Sequence, residues 1–144
     1  MTDSLSREFL AAATRAADWI AAQQGEDGSF CAPTDGTDSY YKIPSALALA
    51  GRYREALHLA HWIGEHHFSS EGDFGGEGNR GADHERWPTY RNAWLVQGLH
   101  RLGRWDLSLP GAEFLLSYQL PSGGVYALEG EGRIIEPVCT SWTG

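Results

Sequence analysis

The residues able to do chemistry gather in three stretches, "GTDSYYKIP" (36–44), "GADHERWPTYRN" (81–92) and "GRIIEP" (132–137). The first supplies Asp38, Tyr40, Tyr41 and Lys42. The second brings Asp83, His84, Glu85, Trp87, Tyr90 and Arg91, and the third Glu136, with Cys139 just beyond. Carboxylates, a histidine and phenols around one mouth are the parts needed for proton transfer. Tyr41, His84, Tyr90 and Glu136 hold related places relative to the prolines and are the expected catalytic set. His84 is the expected general base, because its ordinary pKa lies nearest working pH. Glu136, at the start of a helix, is expected to stay ionised. Lys42 and Arg91 suit a carboxylate or other anion. Trp87 and Tyr90 suit a ring or apolar body, and Asp38, Tyr40, Glu85 and Cys139 complete the expected binding wall. The competing reading has these polar groups capping helices and solvating loops while the aromatics pack between helices.

Other constellations carry less. In "HLAHWIGEHH" (58–67), His58, His61 and Glu65 share one helical face and could touch a metal. Metal ligands usually converge from several elements, so the face reads better as solvated. Nothing near Cys139 completes a zinc site, and no metal or cofactor is expected. The glycine-rich "SSEGDFGGEGNRGADHER" (69–86) has no lysine after its glycines, follows no strand and lacks calcium-loop spacing. It reads as a lid over the mouth or as an ordinary loop.

The whole composition narrows the partners. A formal net charge of −8 over 144 residues disfavours nucleic acid and anionic membranes, which need a basic surface. With 42% hydrophobic and 21% charged residues the chain reads as one globular domain, 1–144. Six Trp and six Tyr suit a thick core or an aromatic-lined cavity for a small-molecule substrate. Two cysteines give no disulfide framework. No secretory leader or membrane span is read, so a cytoplasmic location is the expectation.

These stretches must be held by helices. Leu5, Phe9, Ala13, Ala17 and Ile20 mark a first helix over about 5–24, and Pro44 opens a second that stops at Gly51. A third spans about 53–67, a fourth 88–102 and a fifth 107–119, and Pro137 opens a sixth. Proline suits a first turn, where its missing N–H would be unpaired anyway. No alternating apolar run of useful length occurs, so no central sheet is expected and the fold class is all-α. The pattern repeats. Trp19-Ile20, Trp62-Ile63 and Phe114-Leu115 each precede a glycine turn, and Pro44, Pro88 and Pro137 recur in step. Short links at Gly51 and Gly103 alternate with long polar loops, which places the candidate residues at one end of stacked helical hairpins.

Trp19-Ile20, Gln24 and Gly28-Ser29-Phe30, with Phe114-Leu115, Gln119 and Gly123, give an order that resembles the QW-type repeat of the terpenoid cyclase and protein prenyltransferase α/α-toroid superfamily. His67 stands where the middle copy would have its glutamine. The resemblance implies that the glutamine fastens a helix end to the neighbouring turn. It also implies part of an (α/α) toroid, about two and a half hairpins of a ring needing roughly 260–310 residues. The ring is expected to be completed by the remainder of a longer chain or by self-association. The superfamily's acid and metal motifs, Asp-x-Asp-Asp and Asp-Asp-x-x-Asp, are absent; "DGTD" (35–38) is a turn. The expected activity is acid–base chemistry (isomerisation, cyclisation or elimination) on a small, partly apolar substrate. A carbohydrate-active α/α-barrel enzyme and a non-catalytic helical-repeat binding module stand beside it.

Overall fold

Glycine ends two helices in the same way, and those ends decide which helices lie together. The computed structural model describes residues 2–75, 88–129 and 132–135. Among them lie α1 (Thr2–Ala21), α2 (Ile43–Leu49), α3 (Tyr53–His66), α4 (Pro88–Arg101) and α5 (Trp105–Leu116). A 3-10 turn over Thr37–Ser39 leads into α2. After α2, Gly51 N–H donates to Ala48 O at 3.2 Å and Arg52 N–H to Leu47 O at 2.9 Å. After α4, Gly103 N–H donates to His100 O and Arg104 N–H to Leu99 O, both at 3.0 Å. This pair of bonds satisfies the last carbonyls of a helix but needs a left-handed residue. Gly51 and Gly103 supply it at φ 76° and 74°.

Apolar residues at helical spacing then form the core. Leu59, Ala60, Trp62 and Ile63 of α3 meet Leu95 and Leu99 of α4, Leu107 of α5, and Tyr40 and Phe74 from the loops. α2 crosses α4 where Gly98 leaves room: a Cβ there would stand 2.8 Å from Ser45 N. Pro44 lies in the first turn of α2 and Pro88 opens α4, while Pro137 lies outside the described residues.

Three glycine turns share one hydrogen-bond pattern. Gly25 N–H donates to Ser29 O and Gly28 N–H to Gly25 O; Ser69 to Asp73 and Gly72 to Ser69 repeat it, as do Leu120 to Gly124 and Gly123 to Leu120. The glutamine expectation holds at both positions. Gln24 Nε2 donates to Gly28 O at 3.0 Å and across to Glu55 O of α3 at 2.9 Å. Gln119 Nε2 donates to Gly123 O at 3.2 Å.

Two further features complete the described fold. A ribbon pairs β1 (Tyr126–Glu129) antiparallel with β2 (Gly132–Ile135), Tyr126 opposite Ile135. Its four-residue strands are too short for an alternating pattern to stand out. α1 is amphipathic yet buries little: Ala17 is buried, whereas Leu5 is 54% and Phe9 67% exposed. The bulk of the fold is helical, and no helix among the described residues is long and apolar enough to cross a membrane.

Candidate functional site

The best-defined cluster of reactive side chains lies where the chain enters α2 and α4. Asp38 sits in the 3-10 turn, Tyr41 follows it, and Lys42 is the residue before α2. Tyr90 and Trp94 are four apart on α4 and so share a face. Tyr41 meets Tyr90 edge-on at 5.6 Å between ring centroids. The Lys42 ammonium stands over three rings, 5.2 Å from Tyr41, 5.7 Å from Tyr90 and 5.4 Å from Trp94. Such contacts are electrostatic, the cation lying against the negative ring face.

The two phenols are driven apart. Burial, and then hydrogen bonding with Tyr90, pushes the Tyr41 pKa up. Tyr90 moves the other way, chiefly because its oxygen is hydrogen-bonded by Tyr41, with help from the Lys42 ammonium. Lys42 in turn is held above its ordinary value by the Tyr90 phenol and then by that of Tyr41. A positive charge beside two hydrogen-bonded phenols favours ionisation within the pair.

Arg91 follows Tyr90 on α4 and is 8% exposed. Its Nη2 lies 2.5 Å from Asp38 Oδ1. A guanidinium this buried needs a counter-charge, so the expected anion clamp is already occupied by the expected binding carboxylate. The pair ties the entrance of α2 to α4 beside the phenols.

Tyr40 does not face the mouth. Adjacent residues entering α2 point opposite ways, and Tyr40 turns inward to 1% exposure. Its hydroxyl hydrogen-bonds His67 Nδ1, and Trp62 packs against its ring edge. His67 Nε2 lies 3.0 Å from Pro33 O. A carbonyl only accepts, so Nε2 carries the proton and Nδ1 accepts from Tyr40. Burial lowers the His67 pKa against the opposing pull of the Pro33 carbonyl, and burial pushes Tyr40 far above its ordinary range. Tyr40 is a core residue, tied to the helix end that lacks the glutamine.

Asp83, His84, Glu85, Trp87, Glu136 and Cys139 lie outside the described residues. On α3, His61 Nε2 and Glu65 Oε1 form an exposed pair at 3.5 Å. No group of three or more His, Cys, Asp and Glu able to hold a metal occurs among the described residues. Sequence reasoning missed Trp94, which the spacing from Tyr90 could have supplied. It also missed Asn92, fully buried, whose Oδ1 accepts from Phe74 N–H at 2.9 Å and whose Nδ2 donates to Asp73 Oδ1 at 3.0 Å. That pair clamps the second glycine turn to α4. Compared with known proteins, the chain matches no family model, no curated protein and no solved structure.

Proposed function

We propose that this chain is part of an α/α toroid of terpenoid-cyclase-like type that moves protons on a small, partly apolar substrate. Tyr90 is the proton acceptor, Tyr41 the donor, and Lys42 the charge that favours the Tyr90 phenolate. The observation that carries this reading is geometric: Tyr41 and Tyr90 touch edge-on with the Lys42 ammonium over both rings, and the pKa directions, up for Tyr41 and down for Tyr90, agree with it. Paired titratable groups pushed apart by their surroundings are the usual mark of an acid and a base. Trp94 and the phenol rings offer an apolar wall to the substrate. Support for the ring comes from the three identically bonded turns and the two identical glycine links.

The test is proton exchange. The protein is incubated in D2O with small unsaturated and cyclic apolar compounds, and deuterium incorporation is read by mass spectrometry. Tyr90→Phe and Tyr41→Phe should each slow wild-type exchange about 10²–10⁴-fold, the scale of a lost acid or base. The Tyr41→Phe protein should also show Tyr90 ionising at higher pH in an ultraviolet titration. Wild-type exchange rates in both variants would remove the assignment. Compounds that bind the wild type without exchanging would instead favour the binding module.

A further inference from the structure

Two of the three glycine turns are seated on a helix, and the third meets no helix among the described residues. A Cβ at Gly28 would lie 2.6 Å from His58 O on α3, and one at Gly72 would lie 2.3 Å from Pro110 O on α5. Backbone meets backbone there, and only glycine allows it. At Gly123 nothing stands within 4 Å among the described residues. Gly28 and Gly72 are buried and Gly123 is exposed. The glutamines differ in parallel: Gln24 reaches across to Glu55 of α3, while Gln119 is exposed and bonded to its own turn.

At the other flank, α1 carries no such turn among the described residues. Trp62 of α3 corresponds to Phe114 of α5, and by the same offset His58 corresponds to Pro110, the two residues on which turns sit. Carried back to α1, Trp62 corresponds to Trp19, and Glu55 and His58 to Ala12 and Arg15. Ala12, Arg15 and Trp19 lie on one face of α1 (i, i+3, i+7) and are all exposed. Trp62 is 1% exposed, whereas Trp19 is 68% exposed. Ala11, Ala12, Ala13 and Ala16 leave the α1 backbone open to close approach, and Leu5 and Phe9 extend the apolar stripe.

We infer that α1 and the Gln119–Gly124 turn are the two halves of an interface between two copies of this chain. The turn of one copy sits on α1 of the other at Ala12 and Arg15 and covers Trp19 as Trp62 is covered within the chain. The occupant is a second copy because the described residues hold one turn and one helix, unjoined to each other, of the kind that the chain joins twice internally. The new junction continues that row, and two copies about a two-fold axis fill both openings together. Phe9 and Trp19, each about two-thirds exposed, offer roughly 200–300 Å² between them. That is near a third of the ~800 Å² that each partner buries in a standard interface.

Sedimentation velocity tests this on the 144-residue chain, for which a species of twice 15.8 kDa is expected. Trp19→Glu blocks the helix and Gln119→Glu blocks the turn. Both positions are exposed, so far-ultraviolet circular dichroism should keep its helical signal. Each variant alone should sediment as a monomer. Mixed together they should restore a dimer, because one contributes an intact turn and the other an intact α1. A monomeric wild type, dimers that survive in both variants, or a mixture that stays monomeric would each overturn the proposal.

Discussion

Gln24 and His67 stand five residues after Trp19 and Trp62, yet Gln24 fastens its turn whereas His67 ties its helix end to Tyr40 and Pro33. Gln24 holds two carbonyls of separate elements, Gly28 O and Glu55 O, from a half-buried place. Gln24→Ala leaves both without their donor and should cost about 1 kcal/mol in urea unfolding, the scale of one lost hydrogen bond. Gln119→Ala, at an exposed site, should cost less. His67 gives a signature in pH. Its folded pKa lies below its ordinary value, so at acid pH the unfolded chain binds the extra proton. The stability His67 contributes is therefore complete above about pH 6.5 and is lost as pH falls through the folded pKa. His67→Gln should flatten the slope of melting temperature against pH between 7 and 5; an unchanged slope would show that other groups set it. The turn bond of each glutamine was legible because its partner is local, four residues away, whereas the reach of Gln24 to Glu55 was not. The Tyr40–His67 and Arg91–Asp38 pairs were not, since each joins residues distant in sequence.

Helix contacts obey the same division. The glycine links after α2 and α4 are written in the sequence as Gly-Arg, because the left-handed requirement is local. The crossing of α2 on α4 is not, because Gly98 in a helix interior reads only as a weak helix former. Its role is to let Ser45 and Pro44 approach. Gly98→Ala should cost about 1–3 kcal/mol by overpacking. It should also alter the near-ultraviolet circular dichroism of Tyr41, Tyr90 and Trp94, as α2 moves off α4. Gly51→Ala meets no neighbour within 4 Å and should cost about 1–2 kcal/mol from its backbone angle alone, with that aromatic signal intact. Equal aromatic changes in the two variants would mean that Gly98 does not set the spacing.

Across the whole molecule, the order of helices could be read because apolar spacing and proline starts are periodic, and the turn ends were marked by glycine. How fully each helix is covered could not: the apolar face of α1 looks in sequence like that of α3, although Trp19 is exposed and Trp62 buried. Periodicity reports what a helix could bury, whereas burial depends on neighbours that arrive from elsewhere. Tyr41 meets Tyr90, Lys42 meets Trp94 and Ser45 meets Gly98, so contacts advance together and α2 and α4 run in the same direction. Helices that run the same way cannot be joined by a tight link; α3 must carry the chain back between them. The partners are therefore 49 to 53 residues apart in sequence, and bringing them together carries the entropy of closing that loop. The glycine-linked α2–α3 and α4–α5 pairs close short loops and should form early, with the tyrosine pair expected among the last contacts. During synthesis, N-terminus first, α2 waits with its aromatic entrance uncovered until α4 has left the ribosome.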